Sequence, residues 1–265
     1  MKKLMTATIS CFLAVALLFS FTSCGASIAQ VERAIQRTQE QKTMHIAMTM
    51  KIQVEVDGVF VDANSEMDFK TKRLDDGSSI MSGTLTVKGE GIRKQVYEVH
   101  GDKTWIYIVK PDGKKYKLLA NEGGAEYDLA ASANEMTIEL SDELLEKAKL
   151  NEAEDGSVEL SITIPAKEAS SMFGSVVQEV RNSLGSSVRS VEIESIVYKV
   201  TVKNRYAQKY DVAINMNTRL ALSGGHSQDV STFVKMEMNI LDIGTELDVR
   251  LPADLDDYWA VDKLP

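Results

Sequence analysis

The stretch Thr43–Val56, TMHIAMTMKIQVEV, decides the fold that the sequence predicts. Its even-numbered positions from Met44 to Val56 are all apolar, whereas most of its odd-numbered positions are polar. Such alternation is typical of a β-strand with one face against a core and the other against water. The dipeptide Asp57-Gly58 follows directly and favours a two-residue hairpin turn. We therefore predict a long strand that folds back on itself.

Further alternating segments on both sides of short turns predict an antiparallel meander. Most of the turns contain glycine, as in Asp75-Asp76-Gly77 and Pro111-Asp112-Gly113. We predict the tail Val249–Pro252 as an edge element, because Pro252 has no N–H to donate to a ladder. The segments predicted as strands are 59–73, 79–88, 92–99, 104–109, 114–119, 158–164, 191–203, 206–217 and 230–241.

Three segments have the periodicity of helices instead. They are Ser27–Gln41, a short segment from Ser141 to Lys149, and Lys167–Leu184, whereas Asn121–Ala133 is predicted as a loop. Three helices are too few to cover both faces of a sheet, and no change in composition divides the chain. The sequence therefore predicts a single α+β domain with a strongly curved sheet of about 9–11 antiparallel strands wrapped around its helices.

Composition excludes several classes of protein. The chain has 265 residues and a formal net charge of −9, with 44% hydrophobic and 26% charged residues. A nucleic-acid partner is not expected, because phosphate neutralisation needs clustered Lys and Arg. A disordered chain would be less apolar. Two cysteines, Cys11 and Cys24, are too few for a disulfide scaffold.

Residues 1–23 have the pattern of an export signal that is removed: Lys2 and Lys3 precede a short apolar stretch that ends at Phe21. The sequence Phe21-Thr22-Ser23-Cys24 resembles the lipobox of bacterial lipoproteins, although Phe21 replaces the usual leucine. That resemblance implies that Cys24 carries a diacylglyceryl group and becomes the first residue of the mature protein. Two acyl chains are enough for a stable membrane anchor. The alternative is an ordinary signal peptide in which Cys24 is incidental.

Together these features resemble the LolA/LppX-like lipoproteins, and more narrowly a group of Gram-positive lipoproteins of that architecture. The matching features are Cys24, the amphipathic segment Ile28–Thr38, Met48-Thr49-Met50-Lys51, Asp57-Gly58 and the tail Gly244–Pro252. The resemblance implies one domain over residues 24–265, folded as a half-barrel whose concave apolar face is covered by helices. It also implies the binding or carrying of lipids. It transfers no binding residue, because such relatives share shape more than side chains.

Nothing in the sequence predicts catalysis, and we expect no enzyme activity, cofactor or metal. The three histidines, His45, His100 and His226, lack the spacing of a metal site, and no nucleophile motif is present. We expect each of them to be a surface or strand-edge residue. Asp254, Asp256 and Asp257 lack the spacing of an EF-hand and are expected to form a solvated tail.

Methionine is the informative excess, with 12 residues, many on predicted strands. Its flexible thioether suits a surface that accommodates varied apolar shapes, although it also fills gaps in ordinary cores. We predict a membrane-anchored, extracytoplasmic monomer that binds or carries a lipid or another hydrophobic ligand between sheet and helices. The alternative is a non-enzymatic envelope scaffold with a packed core and no ligand. The predicted lining comprises Met44, Ile46, Met48, Met50, Ile52, Met67, Met216, Val234, Met236 and Met238.

Overall fold

Strand β1 (Thr43–Val56) has the predicted bounds and lies near the middle of one open, curved sheet, to which the described part of the chain contributes 12 strands. This computed structural model describes residues 27–120, 142–172, 188–221, 226–261 and 264. The predicted signal, Cys24, the predicted loop 121–133 and most of the helix predicted at 167–184 lie outside these residues. Asp57 and Gly58 both have positive φ, at 51° and 79°, which confirms the predicted hairpin turn between β1 and β2.

The sheet is antiparallel except where β12 pairs in parallel with β6. The strand order is β12-β6-β5-β4-β3-β2-β1-β11-β10-β9-β8-β7. The remaining strands are β2 (Val59–Arg73), β3 (Ser79–Gly89), β4 (Ile92–Gly101), β5 (Trp105–Val109), β6 (Lys115–Leu119), β7 (Lys149–Glu152), β8 (Val158–Pro165), β9 (Val188–Lys203), β10 (Tyr206–Ala221), β11 (Ser227–Ile243) and β12 (Trp259–Ala260).

Three of the sequence predictions need correction. The described residues form a sheet of 12 strands rather than about 9–11, because the short strands β7 and β12 have too few residues to show a periodicity. The helix predicted from Ser141 to Lys149 ends at Glu146, where the chain turns into β7. The tail Val249–Pro252 is irregular rather than an edge strand: Val249 is buried, and Trp259–Ala260 pairs with the edge of the sheet instead.

The two faces of the sheet differ in chemistry. One face, here called the apolar face, carries fully buried side chains such as Ile46, Phe69, Ile162 and Ile196, which belong to one core cluster. A register shift in β9 between Ile193 and Ile196 keeps both side chains on this face although they are three residues apart. Shifts of this kind bend and twist a sheet, and they occur along β9, β10 and β11.

Helices α1 (Ile28–Gln39), α2 (Asp142–Glu146) and α3 (Ala166–Met172) pack on β8, β9 and β10. The predicted face of α1 is confirmed, because Val31, Ala34 and Thr38 are buried. The backbone N–H of Ser27 donates to the side chain of Gln30 (2.9 Å), which stabilises the first turn of this helix. That the helices cover the concave side of the sheet stays a prediction.

The hydroxyl of Thr38 makes two buried hydrogen bonds, one within α1 and one that links α1 to the sheet. Its hydroxyl donates to the carbonyl of Ala34 (2.9 Å) and accepts from the N–H of Ala207 in β10 (2.9 Å). We expect Thr38→Val to lower the free energy of unfolding by about 1–3 kcal/mol, because it leaves the Ala207 N–H buried and unpaired. Urea unfolding followed by circular dichroism measures this loss. Thr38→Ser keeps the hydroxyl and should lose only about 1 kcal/mol for one methyl group; a Val variant as stable as the wild type would contradict this role.

The C-terminal segment covers the other face of the sheet at β4, β5 and β6. The rings of Tyr107 and Tyr258 meet edge to face at 5.4 Å between centroids, and both side chains are buried. Burial, together with the carboxylate of Asp102, raises the pKa of Tyr107 to about 12. Asp254 and Asp257 form ion pairs with Lys115, so the acidic tail is tied to β6 although its carboxylates remain exposed.

Candidate functional site

The ten predicted lining residues lie on four adjacent strands, β10, β11, β1 and β2, and point to the apolar face. The strand register brings many of them side by side. Met48 lies opposite both Met67 and Met238, and Met50 lies opposite Met236. Ile52 lies opposite Val234. The ten residues therefore lie on one continuous surface, which is formed by two hairpins that are far apart in the chain. Their role as the lining of a ligand site stays a prediction.

Burial divides this surface along the strand direction. Met44, Ile46 and Met238 are 7%, 2% and 5% exposed and belong to the packed core. The half-buried side chains Met48, Met67 and Met236 pack against that core. The remaining four residues are half-buried and are not part of it; we call them the distal strip: Met50, Ile52, Met216 and Val234. Packing in the core thus explains Met44 and Met238, but it does not explain Met50 and Met216 of the distal strip.

The distal strip continues to the tip of the β1–β2 hairpin. Val59, Phe60 and Val61 are 64%, 52% and 51% exposed. The side chains of Val59 and Val61 share the apolar face, because they lie opposite Val56 and Val54 of β1. Sequence analysis did not single out this tip, although three consecutive large apolar residues after a turn were a visible signal. The apolar face therefore changes from buried at the start of β1 to half-buried at its end and exposed at the start of β2.

Two buried hydroxyl groups on the apolar face have no hydrogen-bond partner among the residues that the structure describes: those of Ser65 and Tyr198. Ser65 lies directly opposite Met50. Tyr198 lies opposite Val212, which is itself opposite Met236. Burial raises the pKa of Tyr198, so its hydroxyl remains protonated and able to donate. Sequence analysis missed both groups, because alternation gives a side chain's face but not its hydrogen bonds.

The opposite, polar face carries cross-strand ion pairs. His45 lies between Asp68 (Nε2 to Oδ1, 2.9 Å) and Asp242 (Nδ1 to Oδ2, 3.3 Å), so it is not the simple surface residue that the sequence predicts. A hydrogen bond from Lys88 and its positive charge lower the pKa of Glu66. His100 is half-buried and His226 is exposed. Within the described part of the chain, no group of three or more His, Cys, Asp or Glu residues is arranged to hold a metal ion.

Three cavities lie outside the distal strip or at its border. One of about 230 Å³ lies among the charged residues of the polar face and touches Met50. One of about 180 Å³ lies near the hairpin tip and touches Phe60 and Met216. The third, of about 320 Å³, lies between α1 and the ends of β8 and β9. Each of the first two includes one of the predicted lining residues.

Comparison with known proteins gives only distant likenesses. No family model matches the chain, and no curated protein matches it. Among solved structures, it is similar to a DUF1329 family protein from Desulfovibrio piger at 9% identity and a TM-score of 0.28, covering 82% of this chain and 94% of that one. It is also similar to a domain assigned to outer membrane lipoprotein sorting in Vibrio parahaemolyticus at 10% identity and a TM-score of 0.28, covering 83% and 93%.

A third likeness is to an AttH-type protein from Nitrosomonas europaea, at 9% identity and a TM-score of 0.24, with 83% of this chain and 58% of that one covered. Likenesses at these scores carry no argument about function, which has to come from the residues themselves. Among the helices that the structure describes, none is long and apolar enough to cross a membrane.

Proposed function

We propose that this protein is an extracytoplasmic lipoprotein, anchored through Cys24, that binds or carries a lipid or another hydrophobic ligand on the apolar face of its sheet. The distal strip is the observation that supports this proposal most strongly. Its four side chains are apolar and lie beside a packed core, yet remain partly exposed. An exposed apolar patch on a soluble domain is typical of a binding surface. No catalytic step is part of the proposal.

The chemistry of the surface favours a flexible ligand with a polar group. Met50 and Met216 in the distal strip, and Met236 beside it, adapt to varied apolar shapes. The unpaired hydroxyls of Ser65 and Tyr198 lie on the same face, and a buried hydroxyl without a partner costs free energy that a ligand's oxygen would recover. A mostly apolar surface with few polar groups is the usual form of a small-molecule site.

Extraction of the purified protein tests this proposal. The protein is purified from membranes in detergent, extracted with chloroform and methanol, and the extract is analysed by mass spectrometry. We expect about one apolar molecule per chain in the wild type and much less in the double variant Ile52→Gln/Val234→Gln, purified in the same detergent. Because both proteins carry the same detergent background, equal recovery of every lipid from the two would contradict the proposal.

Tyr198→Phe separates ligand binding from packing. In the proposed site its hydroxyl bonds to the ligand and to nothing else among the described residues. We therefore expect the ligand-free variant to unfold at the same urea concentration as the wild type, or a higher one, and to bind a fluorescent fatty acid several-fold more weakly. Loss of stability with unchanged affinity would assign the hydroxyl to the fold and remove it from the site.

The exposed hairpin tip supports a second candidate function, an interaction module of the envelope. The exposed apolar side chains at this tip are those of Val59, Phe60 and Val61, at the start of β2. An exposed apolar tip of this kind can insert into a groove on another protein. Cross-linking in intact cells tests it, with Phe60→Ser as the variant. Loss of a cross-linked partner in this variant, without loss of the extracted lipid, would favour the second function.

A further inference from the structure

The cavity between α1 and the ends of β8 and β9 has a lining that the proposed ligand site does not use. Its volume is about 320 Å³. Its lining includes three valines and three arginines. The arginines make it the strongest concentration of positive charge among the described cavities. The lining residues are Gln30, Val31, Arg33, Arg37, Val158, Val202 and Arg205.

Among the residues that the structure describes, the three arginines have no acidic partner. Arg219 and Arg250 each bind an aspartate, at 2.7 Å and 2.6 Å, but no carboxylate among the described residues pairs with Arg33, Arg37 or Arg205. The Nε of Arg33 donates to the carbonyl of Ala29 (3.0 Å), which leaves its terminal nitrogens free to bind. Arg33 and Arg37 are one helical turn apart, where like charges repel. In a chain of net charge −9, such a cluster favours an anion in the cavity.

The backbone conformation of Arg205 is a second reason to infer that the arginines of this cavity bind an anion. Asn204 and Arg205 form the two-residue turn between β9 and β10, with φ of 52° and 70°. This is the turn type in which glycine is strongly preferred, because a side chain at positive φ is strained. The chain nevertheless has arginine here, and this arginine lines the cavity. Arg37 lies in the last turn of α1, where the helix dipole already favours a cation, but that explanation does not extend to Arg33 or Arg205.

We propose that this cavity binds the phosphate of an anionic phospholipid headgroup. Guanidinium groups bind phosphate oxygens in pairs, and in the proposed complex the valines of the same lining contact the first carbons of the lipid. Helix α1 begins at Ile28, four residues after Cys24, a distance of at most about 14 Å of extended chain. Gln30 of the lining is six residues after Cys24, so the cavity lies near the membrane surface if Cys24 is acylated. That placement rests on the proposed function, whereas the charge and lining of the cavity do not.

Native mass spectrometry of the protein purified from membranes in nonionic detergent tests the site. Three ligands are added separately: phosphatidylglycerol, phosphatidylcholine and inorganic phosphate. We expect phosphatidylglycerol to bind at least tenfold more tightly than phosphatidylcholine, whose choline cation offsets its phosphate. Arg33→Ala/Arg37→Ala should reduce phosphatidylglycerol binding tenfold or more, and Arg93→Ala, an exposed arginine on β4, should not change it.

Arg205→Gly is the most informative variant, because it should preserve or raise the stability of the fold while it weakens lipid binding. Relief of the positive φ should leave the melting temperature equal or higher, while phosphatidylglycerol binding falls several-fold. Displacement of the lipid by inorganic phosphate would support recognition through the phosphate. Binding of phosphate without lipid, equal binding of the two lipids, or full binding by Arg205→Gly would overturn the proposal. Unchanged binding of a fluorescent fatty acid in Arg205→Gly separates this result from a failure of the distal strip.

Discussion

Gly83→Ala should be among the most damaging single-methyl changes in this protein, with a loss of about 3–5 kcal/mol in the free energy of unfolding. Gly83 of β3 lies opposite Phe69 of β2, whose side chain is 4% exposed. A Cβ at this position would overlap the backbone oxygen of Asp68 and lie 2.5 Å from the Cα and Cβ of Phe69. Because most of these atoms belong to the backbone, the two strands would have to separate.

Gly101→Ala is the matched control. Gly101 is a strand glycine on β4, and a Cβ there would meet the Cγ of Met81 at 2.9 Å and its sulfur at 3.2 Å. Methionine moves aside readily, so we expect a change of about 1 kcal/mol or less. Urea unfolding followed by circular dichroism compares the two variants. Equal stability of Gly83→Ala and Gly101→Ala would show that β2 and β3 are not held as closely as the structure indicates.

The double variant Ile52→Gln/Val234→Gln should bind a fluorescent fatty acid at least tenfold more weakly than the wild type. The two side chains face each other across β1 and β11 in the middle of the distal strip. Each substitution replaces apolar contact surface by an amide that a hydrocarbon chain cannot solvate, at about 0.8 kcal/mol per methylene group lost, and tenfold in affinity requires about 1.4 kcal/mol. Titration of the labelled fatty acid at constant protein concentration measures the change.

Val96→Gln/Leu241→Gln provides the control with the same kinds of replacement. Val96 and Leu241 are 43% and 55% exposed and lie outside the buried cluster. We expect this variant to keep the wild-type affinity and stability. If both double variants lose affinity equally, then glutamine substitution anywhere on the surface weakens fatty-acid binding, and the distal strip has no special role.

Local patterns in the sequence predicted the elements that have a strong signal of their own. Alternation and the Asp57-Gly58 turn gave β1 its correct bounds, and the apolar positions of α1 gave its buried face. β7 and β12 were missed, because strands of four and two residues form only through pairing with neighbours that are already in place.

The sequence could not show which of the ten predicted lining residues are buried in the core and which form the distal strip, and the reason is a different one. Met44 and Met50 have the same place in the alternation, yet one is buried in the core and the other is half-exposed. The difference depends on which elements pack nearby, and α1 is separated in the chain from the strands that it covers. The arginine cavity was missed for the same reason, because Arg33 and Arg205 are brought together only by the packing of α1 on β8 and β9.

Photo-cross-linking with a diazirine-labelled fatty acid tests the central claim most directly. The intact protein is labelled, digested and analysed by mass spectrometry, and unlabelled fatty acid is added as a competitor in a parallel sample. We predict competed cross-links on the peptides that contain Met50, Ile52, Met216 and Val234. Cross-links confined to the polar face, or labelling that the competitor does not reduce, would contradict a hydrophobic ligand on the apolar face.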